Sequence, residues 1–285
     1  NLLFSKYIHR AWIDLRNANE AALEKWKAER TGDVIGKPID GSSGFGIVKY
    51  HPEEIPPLET LKANGITLLE ECVQQHETLA AICPTSVNTL RIATLLGEKK
   101  QGIVYAFIRI GAGAVVDNVD QGGMAAPIDI DTGVIRTVGA NKNGDRFEFH
   151  PLTGTRIPGT KIPYWEEAKK MCLEAAQVVP QLRFVAWDVA VTPEGPVFIE
   201  GNSFPSHAVP QFAAHYPDAG YRVNRTDMRI TFPNGSEFLF SGLDDVEKLK
   251  SIYDITGIWI EEASELLDEG YARRRAALIG KEALL

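Results

Sequence analysis

The sequence predicts an α+β protein whose character changes near residue 219. Runs of alternating apolar residues, the period of a strand, are interleaved with runs at helical spacing, and hairpin turns join them in place of regular βαβ units. Apolar residues make up 44% and charged residues 24% of the 285, as in an ordinary globular chain long enough for one large domain or two modest ones. Past residue 219 come a hairpin around Asn234-Gly235 and a charged Ala/Leu/Arg-rich tail.

Taken in order, residues 1–30 read as helical, with Leu3, Tyr7, Trp12, Leu15, Leu23 and Trp26 as the apolar positions and Asn19 as a cap ahead of Glu20. Val34–Pro38 and Ile47–Tyr50 are strands of a hairpin whose tip, Ile39–Gly46, is rich in glycine and serine. Leu58–Asn64 is a short helix, Ile66–Glu70 a strand and Glu71–Ala81 helical. Leu90–Leu96 and Gly102–Ile110 are strands. Asp129–Gly133 is a turn into a strand over Val134–Val138. Trp165–Val179 is an amphipathic helix, and Phe184–Val191 with Val197–Glu200 completes a mixed sheet. Beyond these, Arg229–Pro233 and Glu237–Ser241 form the Asn234-Gly235 hairpin, Lys248–Ile252 is helical, Ile255–Ile260 is an apolar strand and Glu265–Leu285 a helix.

Composition excludes several classes. A net charge of −8 argues against a nucleic-acid-coating protein. No apolar run is long enough to span a membrane as a helix, and no signal-peptide pattern opens the chain. Cys72, Cys83 and Cys172 are scattered without metal-ligand spacing, which suits buried thiols and a cytoplasmic setting. The chain opens on Asn1, not Met, as a processed or fragmentary chain would.

The most informative motif is Glu200-Gly201-Asn202, at the end of the apolar run Pro196–Ile199 and twelve residues after Asp188. Side chains alternate along a strand, so Glu200 and Asn202 face the same way, and the preceding strand brings Asp188 close. Carboxylate and amide oxygens converging at a strand end suit a hard cation such as Mg²⁺, usually held together with nucleotide phosphates. Read alone, the motif fits two acidic surface residues on a hairpin equally well.

The glycine-rich tip is the second motif. Gly41, Gly44 and Gly46 let backbone N–H groups approach a phosphate, Ser42 and Ser43 add hydroxyl donors, and Lys37 supplies positive charge. The same composition also serves as a plain connector. It is not a Walker loop, because no Gly-Lys-Ser or Gly-Lys-Thr follows. Ile66–Val73 ends a strand with carboxylates, which suits either an adenine edge or solvated glutamates.

Together these pieces resemble a known family. Lys37-Pro38, Gly41–Gly46, Glu70-Glu71, Ser86–Arg91, Arg109–Gly111, Asp117-Asn118, Gly122-Gly123, His150-Pro151, Trp187-Asp188 and Glu200-Gly201-Asn202 occur in the order of the ATP-grasp superfamily, in its sugar-transfer-associated branch, over about residues 1–217. The resemblance implies the ATP-grasp fold, two α+β lobes with nucleotide between them. It also implies an ATP- and Mg²⁺-dependent ligase-like activity that activates a carboxylate as an acyl phosphate for attack by an amine or other nucleophile, in polysaccharide or cell-surface sugar biosynthesis. By position, Asp188, Glu200 and Asn202 would hold Mg²⁺. Lys37 and the Gly41–Gly46 backbone would bind phosphates. Glu70, Glu71 and Val73 would line the adenine site, with Asn88 near the ribose. Arg109 would stabilise the transferring phosphoryl group, and Arg91 and Asn118 would face the acceptor. Family members carry a further lobe ahead of this region with another phosphate-binding lysine. Lys6 stands too near Lys37 to take that place, so the chain is expected to begin inside the family pattern with its first lobe truncated.

From 222 to 266 a different resemblance holds. Arg229–Ser236, Gly242–Asp245, Lys248–Ser251 and Ile258–Ala263 resemble the ATPase of the phage terminase large subunit, in which an apolar strand ending in two acids is the Walker B element. That resemblance implies Glu261 beside Mg²⁺ and Glu262 orienting water. With no Walker A loop in the chain, the segment is expected to be a fragment joined to the first. The expected division is therefore an ATP-grasp-like domain over 1–218 and a terminase-like fragment with a C-terminal helix over 219–285. Two other readings remain at this point: a relative of DNA-packaging ATPases, or a non-catalytic nucleotide-binding domain.

Overall fold

The computed structural model describes residues 3–39, 46–97, 101–113, 122–141, 143–202, 222–224, 229–231 and 237–239. Gly41, Ser42, Ser43, Gly44, Asn118, the Asn234-Gly235 turn, Glu261, Glu262 and the helices expected over 248–252 and 265–285 lie outside the described residues. Two compact units divide between Ser203 and Phe204.

In chain order, the first unit holds β1 (Trp12–Asp14), α1 (Glu20–Ala28), β2 (Val34–Lys37), β3 (Val48–Tyr50), α2 (Leu58–Ala63), β4 (Leu68–Glu71), α3 (Glu77–Ala80), β5 (Leu90–Leu96), β6 (Gln101–Ile110), β7 (Met124–Pro127), β8 (Gly139–Asn141), β9 (Arg146–Phe147), α4 (Trp165–Ala176), β10 (Phe184–Thr192) and β11 (Gly195–Asn202). The second holds β12 (Arg222–Asn224), β13 (Arg229–Thr231) and β14 (Glu237–Leu239), an antiparallel sheet in that order.

A four-stranded sheet, β1-β4-β2-β3, forms one layer of the first unit. Register pairs Ile35 with Glu70, Lys37 with Leu68 and Trp12 with Glu70, so Lys37 and Glu70 share one face. The opposite face, with Val34 and Leu69, closes on Leu15, Leu23, Trp26, Leu58 and Leu61 from α1, α2 and their flanks. Each fully buried side chain of this kind contributes roughly 1.5–3 kcal/mol. Helix α1 starts where the sequence places its cap, with Asn19 Oδ1 accepting from the Ala22 amide at 2.9 Å.

The helix expected over 1–30 is otherwise corrected. Residues 5–7 form a 3-10 turn, and Trp12–Asp14 is a strand because it finds an edge on β4. Asp14 then ends it by accepting from the Arg16 amide at 3.0 Å. Helix α3 is likewise shorter than Glu71–Ala81. Its start at Glu77 follows an extended link in which the His76 amide donates to Val191 O at 2.7 Å.

The larger sheet runs β11-β10-β5-β6-β7-β8-β9, and every described pairing in it is antiparallel, which corrects the mixed sheet expected. The strand expected over 134–138 reduces to isolated bridges, Ile135 with Ile128 and Val134 with Lys161. Helix α4 covers one face with Ala168, Met171, Cys172 and Ala175 against a core that includes Leu90, Ile92, Trp187 and Val189. Trp165, the first residue of α4, packs on Gly133 in the 129–133 turn; Gly133 has φ of 69°, and a Cβ there would stand 2.3 Å from the Trp165 ring, so only glycine fits the turn. No described helix is long and apolar enough to cross a membrane.

Candidate functional site

The face of the larger sheet away from α4 carries the chemistry. Asp188 pairs with Glu200 across β10–β11 and with Arg91 across β10–β5, and Arg109 follows on β6. Directly paired residues in an antiparallel ladder point the same way, so Glu200, Asp188 and Arg91 stand in a row on three adjacent strands; Phe107 of β6 lies opposite Arg91, and Arg109, two residues on, shares its face, as Asn202 shares that of Glu200.

Why Glu200 reaches this face is a local matter. The β10–β11 register slips between Asp188 and Val189: Asp188 pairs with Glu200, yet Val189 pairs with Phe198. Ile199 is thus the extra residue of a β-bulge. The bulge puts Phe198 on the core side, stacked on Trp187 at 4.8 Å between ring centroids, and Glu200 on the opposite side. An unbroken strand would have put both on one face. Gly201 lies across from Trp187, and a Cβ there would come 3.0 Å from the indole, so the gap between the two polar residues suits glycine. Trp187 is held from below by its Nε1, which donates to Thr94 Oγ1 at 2.9 Å.

Asp188 is fully buried. Arg91 binds it with both arms, Nε to Oδ1 and Nη2 to Oδ2, each at 2.7 Å, and Arg109 Nη2 reaches Oδ2 at 2.9 Å. Arg109 is itself aimed by Nε donating to Thr89 Oγ1 at 3.0 Å. Burial works to raise the Asp188 pKa. The Arg109 and Arg91 charges outweigh it, and the carboxyl stays below its ordinary range. Arg91 is raised in turn, its pairing with Asp188 overcoming the burial that works to lower it. Glu200 moves the other way. Desolvation of its carboxylate and then the neighbouring Asp188 charge raise its pKa, although the side chain as a whole is open to solvent. Asn202 Nδ2 donates to Glu200 Oε1 at 3.1 Å and lies 3.5 Å from Asp188 Oδ2.

This set meets the chemical demands of a hard cation in part. Two carboxylates and an amide stand together, and the like-charge strain on Glu200 is what a cation would relieve. Both Asp188 oxygens are already engaged by guanidiniums, so Glu200 is the open donor. Among the described residues no group of three or more His, Cys, Asp or Glu side chains is placed to hold a metal.

On the smaller sheet, Lys37 Nζ sits 2.9 Å from Glu70 Oε2, and Arg10 Nη2 lies 2.8 Å from the same oxygen. Two cations on one buried carboxylate leave surplus positive charge beside Lys37, which suits a polyphosphate. Gly46, with φ of 75°, ends the glycine-rich tip against the Pro38 ring.

Three expected adenine or ribose contacts are placed differently. Glu71 is spent on structure: its Oε2 accepts from the Ala11 amide at 2.8 Å and its Oε1 from Arg30 at 2.5 Å. Asn88 is wholly buried, its Nδ2 donating to Gln75, Leu79 and Cys83 and its Oδ1 accepting from Gly111, so it pins a loop and is not carried forward as a ribose ligand. Glu70 is buried under its ion pairs, and the fourth expected contact, Val73, is half-buried just past the end of β4. No local sequence pattern singles out Arg10, whose side chain is buried against partners far off in the chain.

The two-sheet α+β architecture agrees with an ATP-grasp protein, the class that the family match gives. The family model for sugar-transfer associated ATP-grasp matches residues 58–218, and the chain belongs to that family. A second family model, phage terminase large subunit, matches residues 218–282. The chain is 48% identical over 44 residues to the PBSX phage terminase large subunit of Bacillus subtilis (strain 168), covering 15% of this chain and 10% of that protein. It is 39% identical over 54 residues to the terminase large subunit of Bacillus phage SPP1, covering 17% and 13%. The chain therefore spans about a tenth of the length of the curated relatives it matches. Similar solved structures include the ADP complex of N5-carboxyaminoimidazole ribonucleotide synthetase, with TM-score 0.46, 14% identity and 76% of this chain against 46% of that one. Another is a biotin carboxylase–β,γ-ATP complex from Campylobacter jejuni, with TM-score 0.45, 11% identity and 75% against 40%.

Proposed function

We propose that this chain is an ATP- and Mg²⁺-dependent ligase-like enzyme that activates a carboxylate as an acyl phosphate for attack by an amine or other nucleophile, in sugar-polymer or cell-surface biosynthesis. The observation that carries the reading is the placement of Asp188 and Glu200 side by side with two guanidiniums on one sheet face. Family membership over 58–218 supports it.

In this reading Glu200, Asn202 and Asp188 would hold the cation, with Glu200 the carboxylate not engaged by a guanidinium. Mg²⁺, when bound, would supply positive charge that offsets the negative charge developing during phosphoryl transfer. Lys37 and the Gly41–Gly46 backbone bind the phosphates, and Val73 offers its backbone to the adenine. Arg109 would stabilise the transferring phosphoryl group, and Arg91 and Asn118 would face the acceptor. The balanced charge of the Asp188, Glu200, Arg91 and Arg109 row supports this division, because it can receive a cation and an anion without leaving either unpaired. The ATP-grasp-like part spans 1–218, and 219–285 is the terminase-like appendage.

The terminase match favours a second reading for the appendage alone, a packaging-ATPase element with Glu261 and Glu262 as its acids. Nucleotide turnover separates the two. ADP release that depends on a small carboxylic acid and a nucleophile supports the ligase. ADP release stimulated by DNA, and by no carboxylate or amine of a broad panel, overturns it.

A further inference from the structure

Arg10 joins the two sheets of the first unit at the places where each carries its chemistry. Its side chain is 6% exposed. Nε and Nη2 bind Glu70 Oε2 at 3.3 and 2.8 Å, the oxygen that also takes Lys37. Nη1 donates to Phe198 O at 2.6 Å and to Ile8 O at 3.3 Å. Phe198 is the last core-facing residue before the Ile199 bulge, where the β10–β11 ladder is interrupted, and Glu200 begins the polar face immediately beyond. One planar guanidinium thus spans from the lysine of one sheet to the strand that aims the acid of the other.

We propose that Arg10 is a positioning residue that sets the placement of Glu200 relative to Lys37, so that cation binding at Glu200 and phosphate binding at Lys37 reinforce each other. The proposal rests on the nucleotide reading given above. The physical argument is geometric. A bulge is a point where a strand can bend, and the backbone carbonyl at that point needs a donor to fix its direction. A guanidinium supplies several donors in a rigid fork, so it can hold Glu70 and Phe198 O at a set separation. An ammonium is a point charge on a flexible stem. It would keep the charge next to Glu70 and lose the fixed span to β11.

The test uses the full chain, wild type and Arg10→Lys, with Arg10→Gln as a second variant should lysine fold poorly. ADP affinity is measured by calorimetry with Mg²⁺ and with EDTA, and amide hydrogen exchange is followed over residues 195–202. Arg10→Lys is expected to leave ADP affinity in EDTA within about twofold, while the tightening brought by Mg²⁺ falls about tenfold. Exchange at 198–202 is expected to rise in the variant without any nucleotide. A purely structural role would weaken binding by one factor in both conditions. That result, or unchanged exchange at 198–202, overturns the proposal. Wild-type protein that binds no ADP in either condition overturns the nucleotide reading instead, and the exchange measurement still decides whether Arg10 holds β11.

Discussion

Asp188 and Glu200 lie directly opposite each other on β10 and β11, and the same neighbourhood lowers the pKa of one and raises that of the other. The difference is one of partners. Asp188 has two guanidiniums on its oxygens, whereas Glu200 has the Asn202 amide and a like charge for company.

Asp188→Asn is expected to destabilise the protein by about 3–5 kcal/mol in urea unfolding at neutral pH, because it removes the buried charge on which two part-buried arginines converge. Folding lowers this group's pKa, so its contribution is present above the ordinary aspartate range and is lost as pH falls through the lowered value. The gap between wild type and variant is therefore expected to narrow in acid. A constant gap down to strong acid would show that the pairing is not its source.

Glu200→Gln is expected to raise the melting temperature of the metal-free protein slightly at neutral pH. Here folding raises the pKa, so ionisation costs stability as pH rises from the ordinary glutamate value through the raised one. The effect is well under about 1 kcal/mol, since the side chain is solvent-open and screened. It is expected to vanish when Glu200 is protonated in acid, which a pH series of thermal melts checks.

Thr94→Val removes the buried acceptor of the Trp187 indole N–H, together with the hydroxyl's bond to Val185 O. A loss of about 1–3 kcal/mol is expected, read by denaturant unfolding, with a change in tryptophan emission. Full stability in the valine variant would place Trp187 in a different setting.

Gly133→Ala is expected to cost about 2–4 kcal/mol, since the new Cβ meets the Trp165 ring and the φ of 69° strains any side chain. Equilibrium unfolding measures it. Relief by a second change, Trp165→Leu, would trace the cost to that contact.

Much of this was legible in the chain. That Glu200 and Asn202 share a face followed from period-two alternation, and that β11 returns beside the Asp188 strand followed from one tight turn, both local properties. Helix α4 followed from its apolar stripe, and the Asn19 cap from its residue type. What escaped depends on partners distant in sequence. Trp12–Asp14 is a strand because β4 offers an edge more than fifty residues on, which outweighs the helical spacing around it. The Ile199 bulge leaves no mark in an apolar run, yet it decides which face Glu200 takes. Arg10 meets residues 60 and 188 positions away, and no local pattern announces that. Asn88 and Glu71 have the residue types of ligand contacts, but the fold uses their polar atoms to satisfy buried backbone.

The central claim is that the first acidic cluster, and not the pair in the terminase-like segment, serves the nucleotide. Calorimetric titration of Mg²⁺–ATP into wild type, Glu200→Gln, Asn202→Ala and Glu261→Gln tests it most directly. Glu200→Gln and Asn202→Ala are expected to weaken binding at least about tenfold, with Glu261→Gln close to wild type. Loss of binding in Glu261→Gln with Glu200→Gln unaffected would contradict it.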